Sequence, residues 1–152
     1  MSLPTPQSMS EPQWVWQCDH VIPSRPEASR EIQDAILDKM QSLNWGEHDV
    51  FSVRLALEEA LINAIKHGNH YDPNKHVKIC CGVSQSLLRI EIEDQGKGFE
   101  LSAVPDPTDP ENLEYPCGRG IMLMRSFMSR VEFNETGNRV ILEKEKTPPE
   151  EG

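Results

Sequence analysis

Three short stretches hold residues whose types and spacing could do chemistry. In EEALINAIKHGNH, residues 58–70, apolar residues recur at helical spacing, yet Glu58, Glu59 and Asn63 occupy positions where alanine or leucine would form helix better. Successive residues of an α-helix are rotated by about 100°, so Glu59 and Asn63 lie roughly 40° apart on one face, while Glu58 sits well around the helix from Asn63. A carboxylate and an amide oxygen on one turn could hold a proton-accepting base beside a hydrated cation, as transfer of a phosphoryl group to a hydroxyl requires. Two solvent-facing helix residues would have the same spacing, and the helix alone leaves both readings open.

The second stretch is DQGKGF, residues 94–99, directly after a run that alternates like a strand. Gly96 and Gly98 permit close ligand approach and Asp94 puts an acceptor at the strand end, although an ordinary turn would look similar. No third glycine follows at dinucleotide-fingerprint spacing and no GxxxxGK[ST] occurs, so both familiar phosphate-loop readings fail. The third stretch is GRG, residues 118–120, which the pattern places at the opening of a helix over 121–129. Free backbone N–H groups, two glycines and Arg119 there suit an anion such as phosphate; Arg119 reads equally well as a solvated side chain.

The elements that must position these stretches follow from periodicity. Residues 14–22 alternate as a strand, with Trp14, Trp16 and Cys18 on one face and Val15 on the other. SRPE at 24–27 resembles a capping box with Ser24 as N-cap, opening a helix whose buried positions are Ile32, Ala35, Ile36, Met40 and Leu43. A second helix runs from about Glu47–Val50 to Lys66, burying Phe51, Leu55, Ala56, Ile62 and Ile65 and ending at HGN. Val77 to Val83 and Leu88 to Ile92 form a hairpin, residues 100–117 form a proline-rich acidic loop, and a last hairpin turns at ETGNR, residues 135–139.

The 152 residues suffice for one domain with a single core. Residues 1–12 and 147–152 read as disordered ends around a domain at 13–146. Fifteen Lys and Arg against 25 Asp and Glu give a formal charge of −10, which disfavours nucleic acid and anionic membranes. No apolar run approaches the roughly 20 residues needed to cross a bilayer and the N-terminus does not resemble a secretion signal, so the expectation is a cytoplasmic protein. Cys18, Cys80, Cys81 and Cys117 lack metal-binding spacing and are read as free thiols, and the HxxH of His67 and His70 as a coincidence of the loop.

Taken in order, ExxxN in a helix ending HGN, DxGxGF after a strand, a long loop and GRGIxLM resemble the ATP-binding domain shared by gyrase, heat-shock chaperone ATPases, histidine kinases and mismatch-repair ATPases (GHKL type, Bergerat fold). The resemblance covers about residues 13–146 and is nearest to the stand-alone bacterial anti-sigma factor serine/threonine kinases. It implies an α+β fold: a two-layer sandwich with a mixed, mostly antiparallel sheet covered on one face by helices. It also implies Mg-ATP-dependent phosphorylation of a small anti-anti-sigma (STAS-type) protein on serine or threonine. The further partners implied are a sigma factor, which the kinase would sequester, and a second copy of the chain.

By the same resemblance Glu59 is the general base, Asn63 coordinates Mg2+, and Asp94 accepts a hydrogen bond from the adenine amino group. Gly96 and Gly98 line the adenine pocket, residues 100–117 form a lid, and Gly118, Arg119 and Gly120 meet the phosphates. Lys66, His67 and Asn69 lie close enough in sequence to contribute to the nucleotide site, without an assigned role. The alternative expectation is an ATP-responsive interaction or switch module with little or no phosphotransfer.

Overall fold

A computed structural model of the chain describes residues 14–96 and 116–148. The elements run β1 (Trp16–Pro23), α1 (Pro26–Ser42), α2 (Glu47–Ile62), a π-helical segment (Asn63–Gly68), β2 (His76–Val83), β3 (Leu87–Glu93), α3 (Pro116–Phe127), β4 (Arg130–Phe133) and β5 (Arg139–Glu145). The strands form one sheet in the order β1-β2-β3-β5-β4, and all four neighbouring pairs are antiparallel. This is the α+β architecture that the resemblance implies.

Alternation decides which face of the sheet is covered. Val77, Ile79, Cys81 and Val83 of β2 lie opposite Ile92, Ile90 and Leu88 of β3, which continue into Val140 and Leu142 of β5. All of these are buried, and they meet Ile36 and Met40 of α1 and Val53, Leu57, Leu61 and Ile65 from α2 and its extension. Full burial of one such aliphatic side chain contributes about 1.5–3 kcal/mol, so this seam is the main source of stability. The opposite face is charged: Arg89 bonds Glu143 at 2.6 Å, Arg130 bonds Glu143 at 3.1 Å and Arg139 bonds Glu91 at 2.9 Å.

Several local expectations give way to longer-range contacts. Ser24 does not cap α1, whose N-cap is Arg25 without a side-chain bond; Ser24 is buried and its Oγ donates to the Lys75 carbonyl at 2.7 Å. Trp14 does not share a face with Trp16 and Cys18: it precedes β1 and lies 5.5 Å from the Arg89 guanidinium, which belongs to the charged face. Ala35 is exposed and Leu37 takes the buried position. Phe51 is likewise 54 % exposed, because the buried phase of α2 is set by Val50, Val53, Leu57 and Leu61.

Helix ends also differ in instructive ways. The first helix stops where expected, with Asn44 at φ 64°, a left-handed conformation that asparagine tolerates better than most residues. The third helix starts at Pro116 rather than at residue 121, since proline is pre-organised for a first helical position, and it ends at Phe127 rather than at residue 129. Thr147, read from the sequence as part of a disordered tail, donates its N–H and hydroxyl to the buried Asp49 carboxylate at 2.8 and 2.7 Å. Residues 1–12, Gly98 and most of the expected lid, 100–115, lie outside the described residues.

Candidate active site

The helix carrying Glu59 and Asn63 does not remain an α-helix. From Asn63 to Gly68 it widens into a π-helical segment, with the Asn69 N–H donating to the Ala64 carbonyl five residues back at 2.9 Å. Such segments occur mostly as single turns and often mark functional sites. Here the segment ends against DQG: a Cβ on Gly68 would fall inside the Asp94 carboxyl group, and one on Gly96 would fall onto the Gly68 carbonyl. Gly68, Asp94 and Gly96 are thus packed so closely that both glycine positions exclude a side chain.

Asp94 is held from three sides. Its N–H donates to the Asn138 carbonyl at 2.9 Å, its own carbonyl accepts from Asn138 Nδ2 at 3.3 Å, and its Oδ1 accepts from the Gly96 N–H at 2.8 Å. Burial is the largest influence on the carboxyl group and pushes its pKa up to about 6; the Gly96 hydrogen bond opposes this and the neighbouring Glu93 charge adds to it. The result is an acceptor beside apolar walls, held ionised at neutral pH by a modest margin.

Behind Asp94 lies a buried polar knot. Asn69, fully buried, donates from Nδ2 to Ser24 Oγ and to the His76 carbonyl, both at 3.0 Å, and accepts from the Gln95 N–H at 2.8 Å. The His76 N–H in turn donates to Gln95 Oε1 at 2.5 Å. The knot joins the end of β1, the π-helical segment, the start of β2 and the DQG turn, so the loop bearing Asp94 is fixed by side chains distant in sequence. His70 and Tyr71 make the connection to β2 with φ of 52° and 57°. Among the described residues no group of three or more histidines, cysteines or carboxylates is placed to hold a metal ion.

These elements enclose a cavity of about 260 Å³, lined by Ala60, Asn63, Ala64, His67, Gly68, Ile92, Asp94, Met124, Phe133, Gly137, Asn138, Arg139 and Val140. Its walls are mostly apolar, with a few convergent polar groups, the general pattern of a small-molecule site. Burial first, then the charges of Lys66 and His70, lowers the pKa of His67, leaving a neutral imidazole with one donor and one acceptor. Lys66 is exposed and does not line the cavity, although the sequence grouped it with this site.

Asn63 and Glu59 divide between two depressions. Asn63 lines the cavity; Glu59 does not, and with Glu58, Arg54 and Ile62 it lines a second groove of about 520 Å³ against Pro26, Arg30, Asp34 and Leu37 of α1. The two depressions thus adjoin along α2, where the pair stand one turn and roughly 40° of rotation apart. Gly118, Arg119 and Gly120 fall inside the first turns of α3 rather than before it. Only the first few N–H groups of a helix lack an intrahelical partner, so Gly118 can still offer its N–H while Gly120 is too far along.

Sequence reasoning missed the contribution of the β4–β5 hairpin. Phe133, Asn138 and Arg139 line the cavity, yet ETGNR carries only a turn signal, with Gly137 supplying φ 78°. Met124 of α3 was part of an apolar helix pattern that did not reveal which ligand-facing wall it would form.

Comparison with known proteins agrees with this geometry. Residues 22–144 match the family described as the histidine kinase-like ATPase domain. The chain is 24% identical over 130 residues to the serine-protein kinase RsbW of Bacillus subtilis (strain 168), covering 81% of each protein. It is 34% identical over 102 residues to the anti-sigma F factor of Clostridium novyi (strain NT), covering 63% of this chain and 71% of that one. In three dimensions it resembles the crystal structure of the RsbU and RsbW domains of Rv1364c from Mycobacterium tuberculosis, with a TM-score of 0.58 at 11% identity. That likeness covers 88% of this chain, which spans about a third (34%) of the longer protein.

Proposed function

The chain belongs to the histidine kinase-like ATPase domain family, and from that membership we propose that it is a Mg-ATP-dependent serine/threonine kinase acting on an anti-anti-sigma (STAS-type) partner in the cytoplasm. In this reading it also sequesters a sigma factor and so regulates transcription. The relatives named serine-protein kinase and anti-sigma F factor support the kinase and anti-sigma parts. Among the described residues no helix is long and apolar enough to cross a membrane.

The observation that carries the proposal is Asp94, buried at the cavity wall and held by Asn138 and Gly96. An ionised acceptor there receives the exocyclic amino group of adenine, whereas guanine would present an oxygen and leave the carboxylate unpaired. The cavity is small for a whole nucleotide and suits the base alone. The ribose and phosphates would extend past Asn63 toward the start of α3, where the Gly118 N–H, and with it Arg119, would meet anionic oxygens.

Asn63 fits a role toward Mg2+. Magnesium keeps several waters and takes one or two protein oxygens with substrate phosphates, and the Asn63 amide oxygen beside the cavity could supply one of them. When bound, the ion would offset phosphate charge. Glu59, in the adjoining groove, would take the proton of a serine or threonine hydroxyl presented from the α1–α2 side.

One observation favours a second reading. Glu59 faces the groove and not the cavity, as it would in an ATP-responsive interaction module that transfers phosphate slowly or not at all. Incubation with Mg-ATP and candidate anti-anti-sigma proteins, followed by phosphosite mapping, separates the two. A new phosphoserine or phosphothreonine on the partner is expected. ATP-dependent complex formation without transfer would establish the module instead.

A further inference from the structure

Cys18 and Cys81 are direct partners in the β1–β2 register. Antiparallel partners have Cα atoms about 4.5 or 5.5 Å apart, according to the type of pair, and both spacings fall within the roughly 4.4–6.8 Å that a disulfide spans. Cys18 is half-buried on the edge strand, whereas Cys81 is fully buried beneath the helices. Directly opposed residues of an antiparallel pair project from the same face of the sheet, so the two sulfurs lie side by side.

The pair is chemically unequal. Hydrogen bonding toward Cys81 lowers the pKa of Cys18, while burial raises Cys81 well above the usual thiol range. Cys80, next in sequence, points to the opposite face of the sheet, where burial and Asp19 push its pKa up to about 11. Facing away from the pair, it cannot reach the Cys18 sulfur although it adjoins Cys81 in sequence.

We propose that Cys18 and Cys81 form a redox modification site, a dithiol that a peroxide converts into a disulfide joining β1 to β2. The Cys18 sulfur attacks one peroxide oxygen, the O–O bond breaks, and the departing hydroxide takes up the thiol proton as water, leaving a sulfenic acid. The Cys81 sulfur then attacks the Cys18 sulfur, the S–O bond breaks, and a second water leaves with the Cys81 proton. Two electrons pass from the cysteine pair to the peroxide. Cys81 needs no access to solvent, because its target is the neighbouring sulfur.

The test is to treat the folded full-length protein with hydrogen peroxide, alkylate remaining thiols and map peptides without reduction. A Cys18–Cys81 linked pair that dithiothreitol removes is expected, and Cys80→Ser should retain it. In Cys81→Ala the link should vanish and Cys18 should be trapped as sulfenic acid by dimedone at least tenfold more than Cys80. Should that buried substitution prevent folding, Cys18→Ser gives an independent check: it should slow peroxide consumption at least tenfold. Recovery of Cys18 and Cys81 as thiols, or linkage through Cys80 or Cys117 in their place, overturns the proposal.

Discussion

The two depressions flanking α2 are built differently. The cavity around Asp94 is shaped by elements that leave no slack: two glycines in contact with a carboxyl group, a π-helical segment and a buried asparagine bonded to three other parts of the chain. The α1–α2 groove is larger and is lined by charged side chains at the surface, among them Arg30, Arg54, Glu58 and Glu59. A rigid, mostly apolar cavity discriminates by shape and by a few hydrogen bonds. An open charged groove instead suits the surface of another macromolecule, whose long side chains can adjust.

The largest effects should separate the two regions cleanly. Glu59→Ala should reduce phosphoryl transfer by about 100-fold or more while Mg-ATP binding, measured by calorimetry, stays near wild type. Unchanged transfer would remove Glu59 from the chemistry. Asp94→Asn should weaken adenine nucleotide binding by about 100-fold, since an ionised acceptor is lost and an amino group can face the adenine amino group. Tight binding by the folded variant would show that the base lies elsewhere.

Intermediate effects probe how firmly the cavity is held. Gly68→Ala should cost at least about tenfold in nucleotide affinity, because the Asp94 carboxyl group must move to admit the new methyl group. Asn69→Ala should destabilise the fold by about 2 kcal/mol or more, leaving buried partners unsatisfied, and a thermal melt would read this as a lowered midpoint. If that variant melts like the wild type, the knot is not what fixes the DQG turn.

Acidity offers a gentler perturbation. With a folded pKa of about 6, above its ordinary value, Asp94 takes up a proton more readily in the folded than in the unfolded chain. Its contribution to stability is therefore fully present below the unfolded pKa and is lost as pH rises toward and through 6. Nucleotide affinity should move oppositely, falling severalfold between pH 7 and 5.5 as the acceptor is neutralised, and this fall should be absent in Asp94→Asn. At the bottom of the scale, Glu58→Ala should change transfer less than about twofold, although it lines the same groove as Glu59.

Much of the fold was legible because alternation and helical spacing are local signals. The β2–β3 hairpin, with Val77, Ile79, Cys81 and Val83 facing one way, and the stop of α1 at Asn44 are examples. What sequence could not reveal was set by distant neighbours. Ser24 looks like an N-cap until Asn69, 45 residues away, claims its hydroxyl. Asn138 looks like a turn residue until it is found bracketing Asp94. The angular argument puts Glu59 and Asn63 on neighbouring parts of the helix surface, but it could not show that they line different depressions.

The π-helical segment from Asn63 to Gly68 makes the site a matter of counting as well as of residue type. Rewinding the same residues as an ordinary α-helix, with none removed, would turn everything downstream by about 100°, the rotation of one residue. Gly68 would then leave Asp94, and Asn69 would leave its partners in β1 and β2, with no chemical group in the site having been altered. Winding in this stretch thus matters as much as residue type, because the extra residue that the π turn absorbs is what brings Gly68 and Asn69 to their partners.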